Sequence, residues 1–173
     1  MKKKVLVIVG PTASGKSDLG VRVAKKWDGE VISADSRQVY KYLNIGTGKI
    51  SKKEQGGIKH HLLDVLEPKK RFSASQFKEL GLEAIEEILS RNRLPIIVGG
   101  TGFYIDTLRG EINIPEVPEN KKLREKLNKL SVEKIFDILQ KKDPQRAKII
   151  DKNNKVRLIR ALEFIEKLGY VPK

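Results

Sequence analysis

Cysteine is absent from this sequence of 173 residues, which has only two histidines and one tryptophan. Without cysteine, the chain can form no disulfide bond, no thiolate zinc site and no cysteine nucleophile. Long apolar runs are absent as well. The run at residues 5–9, which follows the N-terminal lysines, is too short for a signal peptide or a membrane span. We therefore expect a cytoplasmic protein with no membrane partner.

Acidic residues are scarce relative to basic ones. The chain has 36 lysines and arginines against 22 aspartates and glutamates, which gives a net charge of +14. A surplus of this size suggests a polyanionic partner, most often nucleic acid, although a solvated coat of lysines would give the same count. The charge therefore favours nucleic-acid binding without deciding it.

Short apolar runs alternate with helical patterns over the first two thirds of the chain. The strands are predicted at residues 5–9, 30–34, 62–65 and 94–98. The helices are predicted at residues 16–27 and from the capping box of Ser73 and Gln76 onward. Strands separated by helices indicate an α/β fold in which a parallel sheet is flanked by helices.

Helical patterns alone occur beyond residue 113. They cover residues 121–130, 132–141 and 153–168. We therefore predict an α/β core at residues 1–113 and a basic, C-terminal helical section at residues 114–173.

A complete phosphate-binding loop lies between the first strand and the first helix. It reads Gly10-Pro11-Thr12-Ala13-Ser14-Gly15-Lys16-Ser17. In this strand–loop–helix context, backbone N–H groups of the loop and of the helix N-terminus can wrap a diphosphate. Lys16 adds a mobile positive charge, and the hydroxyl of Ser17 suits a Mg²⁺ ligand. The loop predicts a P-loop NTPase-like sheet that binds a pyrophosphate-bearing substrate with Mg²⁺.

The positions of carboxylates near the predicted strands help to distinguish which reaction the phosphate-binding loop supports. An ATPase usually has a strand that ends in an acidic residue, whereas the strand at residues 94–98 is followed by Gly99. Asp64 could take the acidic role, or it could cap or pair structurally. Asp35 lies at the carboxyl end of the second strand, the edge at which open α/β sheets bind ligands. It could act there as a general base, or it could cap a helix.

Six motifs occur in a fixed order along the chain. Besides the phosphate-binding loop, they are Asp35-Ser36-Arg37-Gln38-Val39-Tyr40, Asn44-Ile45-Gly46-Thr47, His60-His61-Leu62-Leu63-Asp64, Gly99-Gly100-Thr101-Gly102-Phe103-Tyr104 and Arg157-Leu158-Ile159-Arg160-Ala161-Leu162-Glu163. Together they resemble the tRNA dimethylallyltransferases, also called tRNA isopentenyltransferases. Members of that family continue with further helices beyond the last motif, so the chain resembles a C-terminally shortened member.

The resemblance implies transfer of a dimethylallyl group from dimethylallyl pyrophosphate to N6 of the adenine on the 3′ side of the tRNA anticodon. Lys16, Ser17 and the loop amides would hold the pyrophosphate, with Mg²⁺ sharing its charge. Asp35 matches the general base of the family, and Thr12 would contact the donor or the reacting centre. The adenine would be flipped out, because its N6 cannot reach a buried donor while the base is stacked.

The resemblance also implies contacts near the flipped adenine. Asp35 and the three residues after it, Ser36, Arg37 and Gln38, match the segment that meets this base. Thr101 stands where the family contacts tRNA, and it could also begin a helix.

Arginines of the helical section are the candidates for contacts with the anticodon stem-loop. Arg157 and Arg160 lie three residues apart on one predicted helical face, which suits paired phosphate contacts. They could instead be ordinary surface residues, because Glu163 could pair with either. Arg124 is a similar candidate on a lysine-rich helix.

The adjacent histidines His60 and His61 are not expected to form a metal site. Neighbouring residues of a strand point to opposite faces, and the sequence has no other histidine. We expect them to fix the sheet edge near the site, where the pair could also touch substrate.

Three other functions remain open from the sequence. The chain could prenylate free adenine nucleotides, although its charge and its arginine pair favour a longer polyanion. It could be a small-molecule kinase, against which the glycine at position 99 argues. It could also be a non-catalytic fragment that binds pyrophosphate or RNA. We expect a monomer in each case.

Overall fold

A four-stranded parallel sheet organises the first part of the chain. The computed structural model of the protein describes residues 4–112, 115 and 117–172. The strands are β1 (Leu6–Val9), β2 (Gly29–Ser33), β3 (His60–His61) and β4 (Leu94–Gly99), in the spatial order β1-β4-β2-β3. Neighbouring strands run parallel throughout, so the predicted parallel sheet is confirmed.

Helices pack on both faces of the sheet. The helices of this part are α1 (Lys16–Lys26), α2 (Lys52–Gln55), α3 (Ala74–Ser90) and α4 (Gly102–Leu108). Successive side chains of a strand point to opposite faces. Ile32 and Ile97 accordingly pack with residues of α3 and α4, whereas Val31 and Ile96 pack with Ala24 of α1. This two-sided core holds the carboxyl ends of β2 and β4 side by side.

Two strands differ from their predictions. The sequence predicts that β1 is buried on both faces, yet β1 is an edge strand and Val9 is 64% exposed. The strand predicted at residues 62–65 is wrong, because Leu62 and Asp64 have left-handed φ angles of 61° and 55°. An extended strand does not allow such angles. The chain therefore leaves the sheet in a turn directly after His61.

The chain divides into two compact units, Met1–Ile114 and Pro115–Lys173. The second unit contains α5 (Lys121–Asn128), α6 (Val132–Lys142), α7 (Pro144–Ile149) and α8 (Lys155–Leu168). Its core includes Leu127, Ile135, Leu139, Leu158 and Leu162. Helix α7 is not predicted from the sequence, although Asp143 followed by Pro144 is a helix-start signal, and the Asp143 side chain does cap it.

No helix in the described part of the chain is long and apolar enough to cross a membrane.

Candidate functional site

The phosphate-binding loop connects β1 to α1 in the predicted manner. Gly15 is the N-cap of α1 and has a φ of 77°, a left-handed angle that glycine adopts without steric cost. The Nζ atom of Lys16 donates a hydrogen bond to the carbonyl oxygen of Pro11 at 2.8 Å. The lysine therefore folds back over its own loop. The free N–H groups of the first turn of α1 and this ammonium group together form an anion-binding end of the helix.

A cavity of about 480 Å³ lies against this loop. Loop residues Thr12, Ala13, Ser14, Gly15, Lys16 and Ser17 line it, and Gly10 and Pro11 do not. Its other polar side chains are those of Ser33, Asp35, Arg37, Gln38, Thr47 and His60. Its apolar side chains are those of Val31, Ile50, Leu63 and Val98. The cavity thus joins a phosphate-binding wall, a carboxylate and an apolar wall at the carboxyl ends of β2 and β4.

Asp35 follows β2 and begins a turn. Its Oδ1 atom accepts hydrogen bonds from the backbone N–H groups of Arg37 and Gln38, at 2.8 and 3.3 Å. The sequence allows Asp35 to cap a helix, but a turn follows it and no helix does. These two bonds fix the carboxylate within the lining of the cavity, and no described residue makes a hydrogen bond to its Oδ2 atom.

Thr101 and Ser36 connect the ends of β4 and β2. The Oγ1 atom of Thr101 accepts a hydrogen bond from the N–H of Ser36 at 3.2 Å. Thr101 is the N-cap residue of α4 by position, yet its side chain does not cap that helix. Neither Thr101 nor Ser36 lines the cavity, whereas Arg37 and Gln38 do. The first two therefore position the segment that carries Asp35.

Gly99 explains why β4 ends without an acidic residue. A Cβ atom at this position would lie 2.1 Å from the carbonyl oxygen of Ala34. Two backbone hydrogen bonds hold this close approach, from Ala34 N to Val98 O at 2.8 Å and from Thr101 N to Ala34 O at 3.2 Å. A side chain at position 99 would force apart the strands that support Asp35. The carboxylate of the site therefore follows β2 and not β4.

The two adjacent histidines face opposite ways, as the sequence predicts. His60 lines the cavity, and its Nδ1 lies 2.9 Å from the carbonyl oxygen of Ile58. Since a carbonyl only accepts, Nδ1 carries the proton. Burial lowers the pKa of His60 more than this bond raises it, and nearby Lys52 lowers it further. The ring is thus neutral at neutral pH and its Nε2 is an acceptor.

His61 belongs to a buried ion-pair network on the other side of its strand. Its Nε2 lies 2.7 Å from Oε2 of Glu30, a carboxylate that is only 1% exposed. Arg91 and Arg93 also bind Glu30, at 2.9 and 3.1 Å. Burial raises the pKa of Glu30, but hydrogen bonds from His61 and both arginines outweigh it and lower the pKa. The only sign of this network in the sequence is a glutamate inside an apolar strand.

Asp64 forms a structural pair, one of its predicted alternatives. Its Oδ1 lies 2.5 Å from Nζ of Lys49, which also donates to the carbonyl oxygen of Tyr40. Among the described residues, no group of three or more histidines, aspartates or glutamates is arranged to hold a metal ion. Asp64 therefore holds the loop that carries Lys49 in place, and it does not line the cavity.

The predicted RNA-binding arginines of the helical unit have different environments. Arg124 and Arg160 bind the carboxylate of Glu163, at 2.7 Å and 2.9 Å. Arg160 also donates to the carbonyl oxygen of Val117 and lies over the ring of Phe164. Arg157 is exposed. The alternative in which Glu163 pairs with one of these arginines is therefore the one observed. Arg160 turns inward to Glu163, so Arg157 and Arg160 do not form one free face.

Glu163 is the buried centre of this arrangement and is 1% exposed. It also accepts a hydrogen bond from the N–H of Asn120 at 2.9 Å. Burial raises the pKa of Glu163, but the bonds from Arg124, Arg160 and Asn120 outweigh it, so the pKa is lowered. Glu163 is thus a saturated structural carboxylate.

Several cavity residues had no predicted role. Thr47 and Leu63 belong to two of the sequence motifs, whereas Val31, Ile50 and Val98 carry only the general signal of apolar residues. Only the three-dimensional structure shows that these residues lie together against the phosphate-binding loop.

The parallel sheet with a phosphate-binding loop after its first strand defines a P-loop NTPase-like fold, which confirms the predicted class. The chain belongs to the IPP transferase family, whose pattern it matches over residues 38–172. A tRNA dimethylallyltransferase of Finegoldia magna is 48% identical to it, over 98% of this chain and 55% of the relative. One from Thermoanaerobacter sp. is 45% identical, with the same coverages of 98% and 55%. The chain thus spans about half the length of the curated relatives it matches.

Solved structures agree with this family. The full-length tRNA isopentenylpyrophosphate transferase from Bacillus halodurans is 43% identical, with a TM-score of 0.66 over 98% of this chain and 57% of that one. A eukaryotic dimethylallyltransferase, captured crystallographically acting on tRNA, is 36% identical, with a TM-score of 0.85 over 99% of this chain and 43% of that one. The fold and the family therefore rest on similarity along nearly the whole chain.

Proposed function

We propose that the protein transfers a dimethylallyl group from dimethylallyl pyrophosphate to N6 of the adenine that follows the anticodon in tRNA. The observation that carries this proposal is the composition of the cavity. One continuous space contains a phosphate-binding loop, a half-buried carboxylate with a free oxygen, and an apolar wall. A prenyl pyrophosphate has a polar end and an apolar end that match these two walls, and its acceptor needs a base between them.

The reaction follows from these groups. The N6 nitrogen of adenine attacks the allylic carbon, the bond from that carbon to the pyrophosphate oxygen breaks, and pyrophosphate leaves. Asp35 accepts the proton that N6 loses. Lys16 and the loop N–H groups stabilise the negative charge on the leaving pyrophosphate. Thr12, which lines the cavity, would contact the donor or the reacting centre. The loop thus holds a leaving group and not a phosphoryl donor.

Mg²⁺ fits this site as a partner of the pyrophosphate. Ser17 offers a hydroxyl oxygen in the cavity lining, which also includes the carboxylate of Asp35. Mg²⁺ commonly takes few protein ligands and completes its shell with substrate phosphates and water. When bound, the ion would neutralise charge that develops on the leaving group.

Recognition of tRNA is the second part of the proposal. Arg37 and Gln38 line the cavity beside Asp35, where a flipped adenine would enter. Arg157 is a further proposed contact because it is exposed, whereas Thr101, Ser36, Arg124 and Arg160, the other candidates, make hydrogen bonds within the protein. The solved relative that acts on tRNA supports the substrate, as does the net charge of +14. The protein would act as a cytoplasmic monomer.

Labelled donor tests this function directly. We expect that radiolabelled dimethylallyl pyrophosphate, Mg²⁺ and unmodified tRNA yield labelled RNA, and that AMP in place of tRNA yields no labelled product. The variant Lys16→Met should bind the donor about 10–100-fold more weakly in calorimetry, because it loses a charge-assisted contact to the pyrophosphate. Lys26→Met, at the other end of α1, is the matched control and should bind normally.

Each other outcome identifies a different function. Donor binding without labelled RNA would mean a non-catalytic pyrophosphate-binding chain. Labelling of AMP as fast as tRNA would mean an adenine-nucleotide prenyltransferase. Equal donor binding by wild type and Lys16→Met would refute the role of the phosphate-binding loop.

A further inference from the structure

A short loop at residues 41–49 forms part of the cavity rim. Its residues Gly46, Thr47 and Gly48 line the cavity. The loop is folded on itself, because the N–H of Gly48 donates to the carbonyl oxygen of Ile45 at 3.1 Å and the N–H of Lys49 donates to that of Asn44 at 3.0 Å. The hydroxyl of Thr47 donates to the carbonyl oxygen of Leu43 as well. These bonds give the loop a defined shape.

The loop is also fastened to the α/β unit from outside. The side chain of Lys49 is only 4% exposed and binds both Asp64 and the carbonyl oxygen of Tyr40. The Nε2 atom of Gln38 donates to the carbonyl oxygen of Gly48 at 3.3 Å. Gln38 follows Asp35 in the same turn, so the loop is tied to the segment that carries the proposed base.

This anchored loop presents large apolar side chains to solvent. Tyr42 is 75% exposed, Leu43 is 42% exposed and Ile45 is 98% exposed. Tyr42 has a φ of 65°, a left-handed angle that is unfavourable for a bulky residue. Strain of this kind persists at functional sites more often than elsewhere. Neither burial nor backbone preference explains an exposed tyrosine at this position, so its ring is available for a partner.

The charge around the loop indicates the kind of partner. Residues 37–59 contain six basic residues and one acidic residue, Glu54. Lys41, Lys49 and Lys59 pair with Glu67, Asp64 and Glu87. Arg37, Lys52 and Lys53 are exposed and belong to none of the ion pairs among the described residues. A surface for a second copy or another protein would be depleted of charge at its centre. Aromatic and apolar side chains among lysines and arginines are typical of proteins that bind unpaired nucleotides, where bases stack on rings and phosphates meet cations.

We propose that Tyr42 stacks on a base adjacent to the adenine that enters the cavity, with Leu43 and Ile45 extending this apolar surface. The inference rests on the proposed function, since it assumes an RNA whose loop reaches the cavity. A base stacked on Tyr42 would hold the RNA strand at the rim of the cavity while the accepting adenine leaves the stack of RNA bases. Tyr42 would thus help to position the acceptor without touching the reacting atoms.

Binding of an RNA hairpin with the sequence of an unmodified anticodon stem-loop tests this role. By fluorescence anisotropy, Tyr42→Leu should bind about 5–150-fold more weakly, the range for loss of one stacked base, and Tyr42→Phe should bind like wild type. Trp27→Leu is the matched control. Trp27 is an exposed aromatic residue with Lys26 over its ring, at the opposite end of α1 from the cavity. The slope of affinity against salt should be the same in Tyr42→Leu and wild type, because stacking releases no counterions.

Hairpins with one abasic nucleotide identify the base. Removal of the base that stacks should weaken binding by wild type but not by Tyr42→Leu, whereas removal of other bases should affect both proteins equally. Equal affinity of wild type and Tyr42→Leu for the intact hairpin would overturn the inference and leave the proposed function in place. Donor binding without RNA binding by wild type would overturn both. A dimer that Tyr42→Leu dissociates, with RNA affinity unchanged, would assign the surface to a second copy.

Discussion

Asp35 in the α/β unit and Glu163 in the helical unit each accept at least two hydrogen bonds, but from different donors. Asp35 receives bonds at one oxygen, from backbone N–H groups that orient it and carry no net charge. Glu163 receives bonds at both oxygens, from two arginines and a backbone N–H. Backbone donors leave the Asp35 carboxylate without a cationic partner among the described residues and open to the cavity, whereas the arginines neutralise and enclose Glu163.

Glu30 shows that the difference between arginine donors and backbone donors is not a difference between the two units. It lies on β2, the strand that precedes Asp35, yet it is buried and bound by Arg91, Arg93 and His61. Carboxylates whose oxygens are filled by arginines are therefore structural in both units. The comparison makes Asp35 the carboxylate best suited to accept a proton from a substrate, and the following variants test it.

The substitution Asp35→Asn should have the largest effect. Asparagine keeps the oxygen that accepts the two backbone bonds, so the turn is preserved, but it lacks the basicity of a carboxylate. We expect prenyl transfer to fall about 10²–10⁴-fold in single-turnover assays, the usual range for a lost general base, while donor binding stays intact.

Asp106→Asn serves as the control, because Asp106 lies on α4 and does not line the cavity. Its transfer rate should equal that of wild type. A rate within about twofold of wild type in Asp35→Asn would rule out its role as the base.

Glu163→Gln should have the next largest effect, on stability. It leaves Arg124 and Arg160 without their shared charge, and removal of one partner from a buried ion pair costs about 3 kcal/mol or more. We expect faster hydrogen exchange in α8 and a lower free energy of unfolding, with no change in donor affinity. Glu166→Gln, on an exposed position of the same helix, is the control.

Glu163→Gln also tests how the stability of the protein depends on pH. The pKa of Glu163 is lowered from its ordinary value of 4.5 in the folded protein. A lowered pKa contributes stability that is present above the unfolded pKa and is lost as the pH falls through the folded one. Wild type should therefore lose stability below about pH 4.5, and the part due to Glu163 should be missing from Glu163→Gln. Parallel acid titrations of the two proteins would contradict this assignment.

The sequence predicted the fold and the phosphate-binding loop because both depend on local patterns. Apolar runs fix the strands β2 and β4, and the loop residues fix their own backbone between β1 and α1. The strand at residues 62–65 could not be excluded in this way, since the left-handed angles of Leu62 and Asp64 are set by the turn that follows β3. Periodicity carries no information about such angles in residues other than glycine.

The partners of charged residues were the least predictable part. The sequence left open whether Glu163 pairs with Arg157 or Arg160, and it pairs with Arg160. Spacing along α8 could not reveal Arg124, which reaches Glu163 from α5. Likewise, an aspartate next to a strand gives no sign of whether arginines or backbone groups will fill its oxygens. That distinction, on which the proposed site depends, comes from long-range contacts.

Arg157→Gln should have the smallest effect. It tests the difference between an arginine outside the described ion pairs and one that is held in an ion pair. Arg157 is exposed, and none of the ion pairs among the described residues involves it, so its charge can meet a phosphate. Loss of one phosphate contact should weaken tRNA binding and reduce the slope of log affinity against log salt by about 1, with no loss of stability. Arg160→Gln should instead lower the stability, because it leaves Glu163 partly unpaired. It should hardly change the salt slope. If Arg160→Gln alone reduced the slope in a stably folded protein, the phosphate contact would belong to Arg160, and its bond to Glu163 would serve to orient it.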